Sequence, residues 1–437
     1  MEETATDTAL HGSAASGASH LAIRIAASPD VARIGTVVYA GTRPLRLGRE
    51  PGVEPGGLAL ADGRMSRLHA TFLARTELEL QDAGSKNGTF VDGRRVDRAV
   101  LTHGSVVRLG NTVLVVHREG VLERETGDLG FVGPSAALSQ LRQTIRRVGP
   151  STLPILVVGA TGTGKELVAE AVHAQSGRRG EFVAVNAAAL PEALVESALF
   201  GHVRGAFTGA TDAQLGAFGR ANGGTLFLDE IGEMALPAQA KLLRALESGE
   251  IAPVGAARPT KVDVRIVAAT NVTLSEAITA GRFREDLYAR LCGVDIETPA
   301  LGDRLEDVLP LLAALLPEAA NDRPSEADFA EALLLWSWPR NVRELKRLAE
   351  RLAVLHPDAP AWTLAMLPEA MRTSVLDRTG PAVGQGGETP LDRQRLAELL
   401  GAHHGNVKAV AAAGGVSRRH LYCLMDLWGL ARGTGRG

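Results

Sequence analysis

Residues 159–166 read Gly-Ala-Thr-Gly-Thr-Gly-Lys-Glu. Gly159, Gly164 and Lys165 meet the pattern G-x-x-x-x-G-K, a turn whose successive N–H groups face an anion. Gly159, Ala160, Thr161, Gly162, Thr163 and Gly164 would wrap the phosphates of ATP, and Lys165 would sit against the β- and γ-phosphates. The position after the lysine is normally Ser or Thr, which helps hold Mg²⁺. Here it is Glu166, so the metal needs another ligand. The run Thr225-Leu-Phe-Leu-Asp229-Glu230 supplies one at its end. Asp229 suits Mg²⁺, and Glu230 suits polarisation of an attacking water. Asn271 ends the next apolar run and fits either of two tasks, orienting that water or sensing the γ-phosphate. Arg284 and Arg290 have the charge to stabilise a transferring phosphoryl group on a neighbouring subunit. They equally suit surface ion pairs with Glu285 and Asp286, and the sequence leaves both open.

These residues need a frame. The apolar run Leu153–Val158 precedes the glycine turn and reads as a strand; Leu167–Ala174 follows it as a helix. Phe182–Asn186, Gly224–Glu230 and Val264–Asn271 repeat the short apolar run, with helical sequence between. That alternation predicts an α/β domain over 129–300 with a doubly wound parallel sheet, its ligand at the carboxyl ends of the strands. Residues 301–376 read as helical. Within them Trp338-Pro-Arg-Asn341-Val-Arg343-Glu344-Leu345 opens a helix, with Asn341 as N-cap and Glu344 three residues on, a capping-box spacing. Arg343 lies off the apolar face of that helix, free to contact phosphate. In the stretch Glu196–Ala210, catalysis explains nothing. Gly205, Ala206, Phe207, Thr208, Gly209 and Ala210 form a glycine-flanked tip with an aromatic, the composition of a contact loop.

Before this domain, residues 1–20 are rich in Ala, Ser, Thr and Gly and read as a disordered tail. Residues 21–119 read as all-β. Thr76–Gln81 alternates polar and apolar, and Val106–Leu109 and Thr112–Val116 flank the hairpin signal Gly110-Asn111. Loops of the predicted sandwich carry Gly48-Arg49, Ser66-Arg67-Leu68-His69 and Ser85-Lys86-Asn87-Gly88-Thr89. Arginine and hydroxyl donors converging from loops can hold a phosphate dianion, and an Asn side chain can pair with a peptide backbone. The three pieces in this order resemble a forkhead-associated (FHA) domain, a phosphothreonine-peptide binder. The resemblance implies binding by Arg49, Ser66 and Asn87, assisted by Arg64 or Arg67, with Gly48 and His69 structural.

Residues 119–128 are a charged connector, and 377–390 are Gly- and Pro-rich, a linker. In 391–437, seven basic residues face three acidic ones on a chain whose net charge is −3. Asn406–Ala413 reads as one helix, Gly414-Gly415-Val416 as a turn, and Ser417–Trp428 as a second helix capped by Ser417. This is a helix-turn-helix that resembles the all-α Fis-type DNA-binding domain. Ser417, Arg418, Arg419, His420 and Tyr422 are the candidates for double-stranded DNA, each on a base, on a phosphate or on neither.

From Phe131 to Met371 the motifs together resemble the AAA+ domain of bacterial sigma-54-dependent transcription activators. That family commonly has Glu after the loop lysine. The resemblance implies that Phe207 and Thr208 engage sigma-54, that Asn186 links Glu230 to that loop as a nucleotide-state switch, that Arg284 and Arg290 act in trans in a ring, commonly a hexamer, and that Arg343 is a lid sensor. Arg340 replaces a glycine frequent in the lid motif. The expectation is a multidomain activator of sigma-54 RNA polymerase, with an FHA input that reads a phosphothreonine protein or its own Thr4, Thr6 or Thr8. Two cysteines exclude a disulfide framework, and the absence of a long apolar run or leader predicts a cytoplasmic protein with no membrane partner. Two rivals are an AAA+ ATPase remodelling proteins outside transcription, against which the Gly205–Ala210 loop and basic tail argue, and a phosphopeptide scaffold without ATPase activity.

Overall fold

In the computed structural model, the described residues are 21–50, 56–118, 129–189, 192–207, 210–376, 393–403 and 406–414, with Leu421 and Met425. The expected tail, the connector, the linker, Thr208, Gly209 and all five DNA candidates, Ser417, Arg418, Arg419, His420 and Tyr422, lie outside them. Two compact units form, one of residues 1–121, 308–337 and 351–437, the other of 122–307 and 338–350.

In the first unit the N-terminal residues make two sheets. One has the order Val37–Val38, Leu21–Ala27, Thr112–Arg118, Val106–Leu109, Thr89–Val91, Arg94–Val96. The other has the order Gly57–Ala59, Leu45–Gly48, Ala70–Ala74, Leu78–Asp82, Arg98–Leu101. Gly110-Asn111 is the expected two-residue hairpin, with Leu109 opposite Thr112. Ile23, Ile25, Val107 and Leu114 from one sheet meet Leu47, Phe72 and Leu80 from the other in a single core. Alternation puts these side chains inward, which is why Thr76–Gln81 signalled its strand.

The same unit holds the helices Val308–Leu315, Ala327–Leu335 and Glu369–Leu376. Phe329 stacks on Trp362 with ring centroids 6.4 Å apart. Near the C-terminus, Arg393–Ala402 and Val407–Ala413 are helices, and Leu396, Leu399, Val410, Ala411, Leu421 and Met425 share a small core. Asn406 caps the second of them, its Oδ1 accepting from Ala409 N–H at 3.2 Å.

The second unit is built on a five-stranded parallel sheet. Its order is Phe182–Asn186, Thr225–Asp229, Arg265–Thr270, Ile155–Val158, Val294–Glu297. The last strand had no reading from the sequence. Ile155, Val157, Phe227, Val267 and Ala269 pack on one face with the helices Ala136–Val148 and Lys165–Gln175. Leu156, Leu226, Leu228, Ile266 and Ala268 pack on the other with Leu236–Ser248 and Glu285–Leu291. Period two thus fills two cores from one run of apolar residues, the pattern of a sheet covered on both sides. Among the described residues no helix is long and apolar enough to cross a membrane.

Candidate functional site

The carboxyl ends of four strands converge. After Val158 the chain enters the glycine loop, and the helix Lys165–Gln175 begins directly behind it. Gly162 shows why glycine is needed. Its φ is +80°, and a Cβ there would lie 2.3 Å from the Arg340 carbonyl oxygen and 3.0 Å from Cβ of Arg343. The lid segment therefore closes on the loop backbone. Lys165 is buried and folded back, its Nζ donating to the Gly159 carbonyl at 3.0 Å. Thr163 donates to the Ala160 carbonyl at 2.8 Å and lies 2.7 Å from Thr298 Oγ1. Glu166 is exposed.

Asp229 ends its strand, and Glu230 follows in a left-handed conformation with φ +53°. Burial pushes the Glu230 carboxyl above its ordinary value; Lys165 and the Asn271 N–H oppose the push, and Asp229 adds to it. Asn271 also donates through Nδ2 to Thr161 Oγ1 at 3.1 Å. Glu230 N–H donates to Asp229 Oδ1 at 3.0 Å, and Asn186 Nδ2 donates to Asp229 Oδ2 at 3.3 Å. Asn186 was expected to meet Glu230; in this structure it meets Asp229. The reason is register. Asn186 and Asp229 are direct partners on adjacent parallel strands, and Glu230 lies one residue beyond, in the turn.

Asn341 requires a correction. It does not cap its helix. It begins the helix Asn341–Leu355 with φ +52°, and its side chain is spent on distant partners. Its Oδ1 accepts from Leu301 N–H at 2.9 Å, and its Nδ2 donates to the Thr161 carbonyl at 3.0 Å. Glu344 reaches back as expected, but to Arg340 N–H, at 3.1 Å. Arg343 is exposed on this helix, as expected.

Arg284 precedes the helix Glu285–Leu291 and forms a two-pronged pair with Asp286, Nε–Oδ1 3.0 Å and Nη2–Oδ2 2.7 Å. Of the two readings left open by the sequence, this chain alone displays the surface pair. Arg290, in the last turn, is exposed, with one long contact of 3.5 Å to the Leu246 carbonyl.

Gly205 and Ala210 are brought together. Gly205 N–H donates to the Ala210 carbonyl at 2.8 Å, and Ala210 N–H to the Phe207 carbonyl at 3.0 Å. Phe207 is 41% exposed and leans on the buried His202, ring centroids 5.0 Å apart. His202 is in turn fixed by Ser197 at 2.8 Å. Phe207 is thus held against His202 and remains partly exposed.

In the sandwich, Ser66, Arg64, Arg67 and Asn87 gather on neighbouring loops beside Arg49. Arg49 N–H donates to the Ser66 carbonyl at 2.9 Å, Lys86 N–H to Ser66 Oγ at 3.0 Å, and Asn87 Nδ2 to the Arg64 carbonyl at 2.6 Å. The Arg49, Arg64, Arg67 and Asn87 side chains are exposed. His69 is buried beneath them, its Nδ1 accepting from Ser66 N–H and its Nε2 donating to the Gly88 carbonyl, both at 3.1 Å. A Cβ on Gly48 would lie 2.0 Å from the Arg67 carbonyl oxygen, so the two loops touch through bare backbone. Asp82 braces the third loop. Burial pushes its carboxyl up, but the Ser85 and Thr89 hydroxyls and two N–H donors hold it below its ordinary range.

Residues 131–297 match the sigma-54 interaction domain, residues 45–110 the FHA domain, and residues 302–382 the AAA+ ATPase lid domain. The chain is 43% identical over 266 residues to the DNA-binding transcriptional regulator NtrC of Rhizobium meliloti, covering 60% of this chain and 55% of that protein. It is 41% identical over 311 residues to the putative uric acid sigma-54-dependent transcriptional regulator UacR of Escherichia coli, covering 67% and 52%. Among solved structures, NtrX from Brucella abortus in complex with ADP is similar over 69% of this chain and 70% of that one, with 35% identity and a TM-score of 0.52. The chain spans about half the length of the curated relatives it matches.

Proposed function

The chain belongs to the family of sigma-54-dependent transcription activators built on an AAA+ ATPase domain, and from that membership we propose that it hydrolyses ATP in a ring, a hexamer, to remodel sigma-54 RNA polymerase at promoters. It acts in the cytoplasm from an upstream DNA site and is regulated by phosphothreonine recognition. The observation that carries the reading is a series of polar groups across the strand ends: Asn271 is bonded to Thr161 and set beside the Glu230 carboxyl, Glu230 N–H is bonded to Asp229, and Asp229 to Asn186.

That series links the phosphate loop to the segment that leads, through the helix Glu192–Phe200, to Phe207. The loop N–H groups and Lys165 bind and orient the triphosphate, with Lys165 exchanging the Gly159 carbonyl for phosphate oxygen. Mg²⁺ fits this site. It takes one or two carboxylates together with phosphate oxygens, and Asp229 ends its strand in the series joined to the phosphate loop, while among the described residues no cluster of three acids, histidines or cysteines would hold a metal alone. Once bound it neutralises charge on the phosphates. Glu230 takes a proton from the attacking water, and Asn271 holds Glu230 against the loop. Arg284 leaves Asp286 for the nucleotide of a neighbouring subunit, joined by Arg290, and Arg343 reads the phosphate from the lid. A change in the charge facing Asp229 and Glu230 shifts Asn186, and Gly205, Ala206, Phe207, Thr208, Gly209 and Ala210 present or withdraw their contact with sigma-54.

At the other end, Arg49, Ser66 and Asn87, with Arg64 or Arg67, hold the phosphothreonine peptide. Ser417, Arg418, Arg419, His420 and Tyr422 contact DNA. The test is a reconstituted promoter reaction in which ATP turnover and sigma-54-dependent transcript are measured together. Thr208→Ala should hydrolyse ATP and yield no transcript. Turnover by the wild-type protein without promoter opening, with its DNA site present, would sink the sigma-54 assignment and leave a general remodelling ATPase.

A further inference from the structure

Asp328 is the one exposed residue of the lid helix Ala327–Leu335. The helix sequence, Ala-Asp-Phe-Ala-Glu-Ala-Leu-Leu-Leu, carries only two charges, and every residue from Phe329 to Leu334 is buried. A helix apolar all round is covered on more than one side. One cover is the lid itself, through Trp362 and the helix Glu369–Leu376. The other is the sandwich: the helix packs on the strands Val106–Leu109, Thr112–Arg118 and Leu21–Ala27.

At the centre of that second contact is a buried ion pair. Arg108 Nε lies 2.7 Å from Glu331 Oε2, with the Arg108 side chain 16% exposed and that of Glu331 1%. Asp328 stands 4.0 Å from the same guanidinium, which lies over the Phe90 ring, 4.1 Å from its centroid. Phe90 is the direct cross-strand partner of Arg108, so the sheet itself holds the arginine upright. Burial pushes the Glu331 carboxyl up, Asp328 and Asp92 add to the push, and Arg108 opposes it. A charge this deep on an apolar helix needs its partner.

The arginine also has a short path to the phosphate loops. The carboxylate of Asp62, fully buried, accepts from Arg64 N–H at 2.9 Å, from Asn111 N–H at 2.7 Å and from Thr112 Oγ1 at 3.1 Å. It thereby pins the loop of Arg64 and Ser66 to the hairpin whose first strand bears Arg108. On the other side of the pair, residues 336–340 join the helix of Glu331 to the segment bearing Asn341 and Arg343.

We propose that the outer face of the strand Val106–Leu109 is an intramolecular docking surface for the lid helix Ala327–Leu335, locked by Arg108 and Glu331, and that it passes phosphothreonine occupancy of the sandwich to the ATPase lid. The second half rests on the phosphothreonine reading above. The surface makes the lid the immediate partner of the sensor domain and needs no second protein to carry the signal.

The experiment is amide hydrogen exchange on the full chain. Arg108→Glu and Glu331→Arg should each speed exchange of residues 327–335 by about tenfold or more, and the double charge swap should restore protection to within about threefold of wild type. Arg108→Met with Glu331→Met, which keeps an apolar contact, controls for unfolding of the single variants and should retain protection. Unchanged exchange in Arg108→Glu would overturn the docking surface. A degenerate phosphothreonine peptide pool, with its unphosphorylated counterpart as control, tests the coupling. It should alter exchange of 327–335 in wild type and not in Arg108→Glu. An equal response in both overturns the transmission while sparing the surface. If fluorescence anisotropy shows no binding of the pool, the phosphothreonine reading falls with the transmission, and the charge-swap result still decides the surface.

Discussion

Asn341 donates its side-chain amide to the carbonyl of Thr161, 3.0 Å away and 180 residues back in the chain. One hydrogen bond thus ties the root of the helix that carries Arg343 to the phosphate loop. The same side chain accepts from Leu301, so it fixes three segments at once. Its left-handed backbone matters too, because Asn tolerates that conformation and most residues do not.

Replacement of Asn341 should separate these effects. Asn341→Gly keeps the backbone and loses both bonds, which costs about 1–3 kcal/mol for buried groups left unpaired. Asn341→Ala adds about 1 kcal/mol of backbone strain. Both should raise the KM for ATP, with Ala the less stable by thermal denaturation. Equal stability of the two would remove the conformational part of the argument.

Lys165 and Glu230 should fail differently. Lys165→Ala removes the cation proposed to face the β- and γ-phosphates, so binding of a fluorescent ATP analogue should be lost along with turnover. Glu230→Gln keeps size and loses the proposed base, so binding should survive while kcat falls by about 10²–10⁴. Turnover within a few-fold of wild type in Glu230→Gln would move the base elsewhere.

Gly48 and Ser66 make a pair of opposite kinds in the sandwich. Gly48→Ala forces a Cβ to within 2.0 Å of the Arg67 carbonyl oxygen, so two loops must part and thermal stability and peptide capture should fall together. Ser66→Ala loses one bond from Lys86 N–H, so the fold should hold while phosphothreonine-peptide affinity drops. Titration of a labelled peptide alongside calorimetry distinguishes the two.

His69 predicts a pH dependence. Burial lowers its pKa from 6.5, and the ring is held neutral between Ser66 N–H and the Gly88 carbonyl. In the unfolded chain the ring gains its proton near pH 6.5, above the folded value. Between the two values the unfolded state binds more protons, so stability falls with acidification by up to ~1.4 kcal/mol per pH unit. Calorimetry of the full chain from pH 7.5 to 5 should show the sandwich transition sliding down below pH 6.5, with a smaller slide in His69→Gln.

Much of this was written locally in the sequence. Leu156 and Val157 alternate between two cores because a strand has period two, and Gly159–Lys165 sits at its strand end because the motif has its own flanks. What local pattern cannot carry is the identity of a distant partner. Asn341 followed by Glu344 obeys the rule for a helix cap, yet its amide serves Thr161 and Leu301. Asn186 answers to Asp229 because the strands align those two residues, and register is a property of the assembled sheet. Glu331 in an Ala- and Leu-rich helix had no signal beyond its own oddity, since its partner Arg108 belongs to another domain. Arg284 had both readings in its sequence, and a single chain exhibits only the one with Asp286.

The left-handed turn at Glu230 has an evolutionary consequence. A glycine would adopt φ +53° without the ~1–2 kcal/mol that an L side chain incurs there. Glu230→Gly should therefore raise the melting temperature of the sheet domain by a few degrees while abolishing turnover. Selection for persistence alone would drift this position toward glycine. The carboxylate survives there only as long as the cell still needs the work done.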